Sequence, residues 1–345
     1  MEQQASDNMF PIGAPPIAGL AFRHMRGSAD HAALAVLLNE AWQADVVERA
    51  TTAEEVARLY ASRPAFDPVR QMVLAEGDGV LIGMAEHHWL ALRDGTYIYG
   101  HTCAVAPTRR GQGLEQALLH WNERCLRTVA AQHRQAAVAP VTVPARVLAW
   151  PDWLQETEAM VPILTSEGYQ PVRYQFDLRC PALNALPETL LPAGVDVRPV
   201  EPAHYPAIYT AYKEAFADAF DSTPPSEAEY QRWRQRPFAQ FPALCQVAWA
   251  GDQIVGLVLC SINAAENERY GRQRGTVDAV CVPPAWRGRG LARTLLVRAL
   301  EGLREQGMTE ATLMVDTQNA HGALRLYESV GFQVATRQAL YSKPL

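Results

Sequence analysis

The sequence predicts an α/β chain in which one fold is written twice in tandem. Three observations carry that expectation. A strand, a proline turn, an Arg/Gly-rich loop and an amphipathic helix occur in that order at residues 96–130 and again at residues 275–303. Matching residues keep a constant offset of 177: Pro107 with Pro284, Arg110 with Arg287, Gly113 with Gly290, Leu114 with Leu291. The length, 345 residues, suits two domains of about 150 residues better than one core. A later correspondence, Glu167-Gly168-Tyr169 with Val330-Gly331-Phe332, has an offset of 163, so the first copy carries 14 extra residues, which the polar stretch Ala131–Ala145 can hold.

The first copy is expected over residues 19–180. Residues 1–18 read as a flexible leader, without the basic start and apolar core of a secretory signal. Leu20–Met25 is a candidate strand, and Ala29–Val47 a helix with Leu34, Leu37, Leu38, Ala41 and Trp42 on one side. Thr51/Thr52 before Glu54/Glu55 signals a helix start. Residues 70–76 and 80–90 read as a hairpin across Gly77-Asp78-Gly79, because Asp-Gly between apolar runs is a turn signal. Thr96–Ala106 is the next strand, followed by the Arg109-Arg110-Gly111-Gln112-Gly113 loop and its helix.

Residues 181–194 are the expected linker, and the second copy spans 195–345. Val195–Val200 reads as a strand. Residues 201–220 read as a helix with Tyr205, Tyr209, Tyr212, Phe216 and Phe220, and residues 227–235 as another containing Trp233. Cys245–Ala250 and Gln253–Ile262 make a hairpin across Gly251-Asp252, and residues 264–275 a polar loop. Val277, Val280 and Val282 form a β-branched strand that Pro283 and Pro284 end, since proline has no amide for a ladder. Arg287, Gly288, Arg289 and Gly290 then lead straight into a helix from Leu291 and Ala292. Glycines at a helix start let free amides turn toward a ligand, and the positive end of the helix attracts phosphate. By composition and position this is a pyrophosphate cradle. A strand at 311–315 and a helix over 320–330 follow; Asn319, Ala323 and Tyr327, spaced by four, share one helix face.

Composition narrows the function classes. A net charge of −6 argues against nonspecific nucleic-acid binding. Six scattered cysteines with no C-x-x-C pair signal neither a metal site nor a disulfide framework. No stretch approaches the roughly 20 apolar residues of a membrane span, so no membrane role is expected and a cytoplasmic location is. The oligomeric state has no signature.

The pattern Arg-x-x-Gly-x-Ala at residues 287–292, with V-x-V-x-P before it and N-x-x-x-A-x-x-x-Y-x-x-x-G-F after it, resembles the GCN5-related N-acetyltransferase (GNAT) family; the likeness is strong over residues 245–335. The resemblance implies in each copy a mixed, mostly antiparallel sheet flanked by helices, and acetyl-CoA as cosubstrate. It places a carbonyl-polarising amide at Val280, Cys281 or Val282, the pantetheine arm against Asn319 and Ala323, and the Tyr327 hydroxyl near the sulfur. The acceptor it implies is a small-molecule amine that attacks the thioester directly. Tyr327 would protonate the leaving thiolate. Asp278, two residues before Val280 and on the same face if no bulge intervenes, is the candidate base, with Asp316 and Thr276 behind it. The tandem type resembles mycothiol synthases, which carry an acidic residue early in the fourth strand where this chain has Thr276.

The first copy departs where the chemistry would be. Glu115 stands for Ala292, Glu156 for Asn319 and Leu164 for Tyr327. It reads as a degenerate copy, with retained CoA binding the other reading. For the chain as a whole, a non-catalytic acyl-CoA sensor and a protein or peptide amine acetyltransferase are the alternatives to a small-amine N-acetyltransferase.

Overall fold

The computed structural model describes residues 10–61, 63, 66–136, 146–149, 154–155, 157–318 and 322–345. They fall into two compact units, one of residues up to 173 together with 338–345, the other of residues 174–337.

The first unit runs β1 (Leu20–Arg23), α1 (His31–Ala44), α2 (Ala53–Ala61), α3 (Pro68–Gln71), β2 (Met72–Gly77), β3 (Val80–Ala91), β4 (Tyr97–Val105), α4 (Leu114–Ala136), β5 (Arg146–Ala149), β6 (Leu154–Gln155) and α5 (Met160–Ser166). The expected Thr52–Glu55 capping box opens α2: each side chain accepts from the other's backbone N–H, at 2.9 and 3.2 Å. The β2–β3 hairpin turns at Asp78 and Gly79, both with positive φ (51° and 79°), the geometry that Asp-Gly favours. Strands β1 to β4 are antiparallel and β5 runs parallel to β4. The leader is packed where it is described: Ile17 is buried, and Arg124 donates to the Phe10 carbonyl at 3.0 Å. In this stretch, expected as part of a flexible leader, Phe10 and Ile17 join the core around Leu34, Leu74 and Leu118, while Ile12 is exposed.

After β7 (Gln170–Cys180) the second unit repeats the plan: β8 (Asp196–Arg198), α6 (Tyr205–Ala215), α7 (Glu227–Arg234), β9 (Gln246–Ala250), β10 (Gln253–Ile262), α8 (Ala264–Tyr270), β11 (Arg274–Cys281), α9 (Leu291–Glu305), β12 (Glu310–Asp316), α10 (Ala323–Glu328) and β13 (Gln333–Pro344). Strands β8 to β11 are antiparallel, β12 is parallel to β11, and residues 175–180 of β7 close the sheet antiparallel to β12. In the first unit residues 342–344 of β13 close the sheet against β5. Each unit is thus finished by a strand end from the other copy's stretch of sequence. This differs from the expected break at 181–194, because strand pairing follows the sheet edge rather than the repeat boundary. The linker also packs: Leu183 is buried, and Thr294 donates to the Leu190 carbonyl.

The second sheet has a core on each face. One lies under α9 and α10 (Val255, Val258, Cys260, Val277, Leu295, Leu303), the other under α6 and α7 (Tyr209, Trp233, Leu257, Leu259, Ala279, Cys281). Helix α9 sits close because β10 offers a glycine there: a Cβ at Gly256 would lie 2.9 Å from Leu295. Gly83 does the same for α4, with Leu114 and Leu118 at 3.2 Å. The expected polar loop after β10 is instead partly helical, since Asn263 caps α8 by accepting from the Glu266 N–H at 3.1 Å. Helix α10 is shorter than the sequence pattern suggests, beginning at Ala323 after Gly322 in the left-handed region.

Candidate active site

The site begins where two parallel strands stop pairing. β11 and β12 are in register only from Arg274 opposite Glu310 to Thr276 opposite Thr312. Beyond Thr276, β11 keeps its partner β10 out to Cys281 but has none in β12. Backbone groups of Val277–Cys281 therefore face an opening on one side, and an unpaired buried amide needs a partner. Val280 and Val282 are half-buried at this opening and Cys281 is buried.

At the top of β11 the Arg/Gly loop is held by its own arginine. Arg287 donates through Nε to the Val282 carbonyl at 3.0 Å, pinning the loop to the strand end. Gly288 and Gly290 take φ of +75° and +77°, where a side chain would be strained, and a Cβ at either would meet nothing within 4 Å. Arg289 is exposed, stacked over Trp286 at 4.7 Å. Helix α9 has no side-chain cap; a turn bond runs from the Thr294 N–H to the Gly290 carbonyl at 3.1 Å. The amides of Leu291, Ala292 and Arg293 are the orphan donors of that terminus, next to two exposed glycines.

A β-bulge aims Asp278. β10–β11 pairing jumps from Leu259 opposite Ala279 to Cys260 opposite Val277, leaving Asp278 as the extra residue. Val277 and Val280 belong to the core on the α9 face, whereas Ala279 and Cys281 belong to that on the α6/α7 face. Asp278 consequently does not share the Val280 face, as an unbulged strand would have required. Its side chain remains open to solvent although protein surrounds it on most sides, the situation of a group in a recess. That enclosure pushes its carboxyl up to about 6, against the pull of a hydrogen bond from Ser261 and the field of Arg236. Neither Ser261 nor Arg236 was signalled by the sequence. Arg236 is one of three alternating arginines at 232, 234 and 236, and only the end of α7 at Arg234 decides which one turns to this recess.

Tyr327 is buried in α10, its ring edge-on to Phe332 at 6.1 Å. Burial, together with nearby Cys281, raises its hydroxyl pKa well above the usual phenol value, so it holds its proton. Ala323 packs beside it on the same core. Asn319 lies outside the described residues, as does Glu156 of the first copy.

The matching region of the first unit is filled from within. Glu115, 2% exposed, accepts the Gly111 N–H at 2.9 Å, putting the protein's own carboxylate in the loop. Arg110 repeats the carbonyl bond of Arg287, to Val105 at 3.3 Å, but spends both Nη atoms on Asp45 at 2.9 Å each. Pro15 packs 3.6 Å from where a Cβ of Gly113 would stand. What remains is a cavity of about 70 Å³ bordered by Glu115, Arg110, Cys103 and Leu164. Among the described residues no group of three or more His, Cys, Asp or Glu side chains could hold a metal, and no helix is long and apolar enough to cross a membrane.

Comparison with known proteins shows the family. The Acetyltransferase (GNAT) family matches residues 34–148 and again 205–332. A mycothiol acetyltransferase of Thermomonospora curvata is 31% identical over 307 residues, 87% of this chain and 92% of that one. Another, from Thermobispora bispora, is 32% identical over 177 residues, 51% of this chain and 59% of the relative. A GCN5-related N-acetyltransferase structure from Sphaerobacter thermophilus superposes with a TM-score of 0.68 at 28% identity, covering 94% of this chain and 95% of that one. Enzymes of this family use acetyl-CoA as cosubstrate. The chain belongs to the GNAT family of acetyltransferases and is an N-acetyltransferase in which that fold occurs twice.

Proposed function

We propose that acetyl transfer takes place in the second unit, from acetyl-CoA to the primary amine of a small molecule, by direct attack. The observation that carries this reading is the contrast between the two loops. Glu115 meets the Gly111 amide in the first, while Gly288, Gly290 and the uncapped start of α9 stay open in the second. A pyrophosphate accepts from such amides and benefits from the helix field. Arg287 and Arg289 add charge, and Leu291, Ala292 and Ala323 border the path of the pantetheine arm, which the family resemblance also assigns to Asn319.

The residues divide the chemistry among them. Asp278 takes the amine proton, directly or through a water, and its elevated pKa suits a base working near neutrality. An amide among Val280, Cys281 and Val282, on the open side of β11, polarises the thioester carbonyl. Tyr327 holds its proton for the departing thiolate.

The test is calorimetric titration of acetyl-CoA into the full chain, paired with a thiol-release assay on small amines. A stoichiometry near one that is lost in Gly290→Glu supports the reading. A stoichiometry near two, or binding that survives Gly290→Glu, overturns it.

A further inference from the structure

The acceptor recess holds a guanidinium whose donors are mostly uncommitted. Arg236 follows α7 and opens the turn Pro237–Gln240. One of its nitrogens, Nη1, donates to the Tyr212 hydroxyl at 3.1 Å. An arginine has five N–H donors. The guanidinium makes no other hydrogen bond and no ion pair among the described residues, while the Arg236 backbone bonds to Trp233 and Ala239. Its anchorage is fixed from both sides. Tyr212 packs on Trp233 and Phe216, at 5.9 and 4.8 Å, within the core that contains Ala279 and Cys281, the neighbours of the bulge. The turn that Arg236 opens packs on β10. Like Asp278, Arg236 is open to solvent yet enclosed by protein, and the fields of Asp278 and Asp221 both reach it without contact. A cation and a base thus share one recess, close enough to sense each other and too far apart to pair.

We propose that Arg236 is a specificity-determining residue: it receives an anionic oxyacid group of the acceptor, so that the amine presented to Asp278 belongs to a molecule that also carries a carboxylate or a phosphate. This rests on the assignment of acetyl transfer to the second unit. The planar fork of Arg suits both anions, and an enclosed site strengthens the bond. Asp278 meanwhile attracts the ammonium end, so the two groups together select a molecule charged at both ends and set its orientation.

The experiment compares acceptors that differ only in the anion: glycine with glycinamide, and phosphoethanolamine with ethanolamine. The full chain, Arg236→Gln and Arg236→Lys are assayed by thiol release. In the wild type, kcat/KM is expected to be at least tenfold higher for the anionic member of one pair, and which pair identifies the anion. Arg236→Gln should bring the preference below twofold through KM, losing less than threefold on the neutral member, and Arg236→Lys should retain part of it. Equal rates within both pairs in the wild type, or an equal loss on both members in Arg236→Gln, would overturn the proposal. Titration of N-acetylglycine and N-acetylglycinamide reads the same subsite without turnover. At least fivefold tighter binding of the acid, lost in Arg236→Gln, supports it; equal binding sinks it. Acetyl-CoA titration of the same preparations tests the acetyl-transfer assignment separately.

Discussion

A carboxylate raised to about 6 should leave its mark on both rate and stability. As the proposed base, Asp278 would have to be ionised to take a proton, so kcat/KM is expected to rise with unit slope up to pH about 6 and then level off. Asp278→Asn should erase that limb and lower the plateau by about 100-fold. Tyr327→Phe, by contrast, should lower the plateau at least tenfold while keeping the limb and the affinity for acetyl-CoA. A limb that survives Asp278→Asn would show that the base is elsewhere. The stability effect has the opposite sense to the usual aspartate. The folded state binds this proton more tightly than the unfolded chain, so the group costs stability once the pH rises from 3.8 through about 6. Asp278→Asn should therefore raise the urea midpoint at pH 8 and leave it unchanged below pH 3.8; a drop at pH 8 would contradict the assigned direction. At this scale the sequence was partly legible. Asp278 could be named from its place before Val280, but its direction could not, because a bulge depends on the register with β10. Ser261 and Arg236 were silent for a related reason: nothing local distinguishes a serine on a strand, or the third of three arginines, as a site residue.

Elements were legible wherever punctuation was local. Asp78-Gly79, Thr52 with Glu55, Pro283-Pro284 and the glycines at 288 and 290 each fix a turn or a helix end through backbone chemistry of their own. The ends of β7 and β13 were not, because which sheet edge a strand joins is a long-range choice. That choice has a cost that can be measured. In the first unit Glu123, 2% exposed, accepts from the Tyr169 hydroxyl at 3.0 Å, from Arg127 at 2.9 Å and from Lys343 of β13 at 2.5 Å. Lys343 also donates to the Glu167 carbonyl and lies over the Tyr169 ring at 4.7 Å. Removing one partner of a buried charge is worse than removing both, by about 3 kcal/mol or more. Lys343→Met leaves Glu123 with Arg127 and Tyr169 and is expected to destabilise the first unit by about 1.5–3 kcal/mol, and Lys343→Met with Glu123→Gln by clearly less. The check is urea unfolding of the two variants with the break-up of the first unit followed by limited proteolysis. Equal losses in the single and double variants would mean that Lys343 does not compensate Glu123.

At the scale of the whole molecule, the two copies have divided their polar residues differently, and pH should separate them. The first unit buries His87 and His101 and half-buries His88; they are held down to about 4, about 4 and about 3, in each case chiefly by loss of solvent around the ring. His101 faces the Tyr169 hydroxyl at 2.9 Å, and His87 lies edge-on to Trp121 at 5.2 Å, so neither can gain a proton without disturbing its neighbours. Between their ordinary value of 6.5 and these lowered values the unfolded chain binds more protons than the folded one, so stability is lost as the pH falls through that interval. Each histidine contributes a slope of at most about 1.4 kcal/mol per pH unit, and three together about 4. Over a pH unit and a half that is at most about 6 kcal/mol, which reaches the low end of the stability of an ordinary domain, roughly 5–15 kcal/mol. Asp278 in the second unit works in the other direction, favouring the folded state as it gains its proton. Acidification from pH 7 to 5 is therefore expected to expose residues 10–136 to protease while residues 174–337 stay protected, and His101→Gln with His87→Gln should flatten the dependence. A pH-independent cleavage pattern would show that folding does not lower the pKa of these histidines. The copy whose loop is closed by Glu115 would thus set the acid limit of the protein, while the copy with the open loop sets the pH of its chemistry.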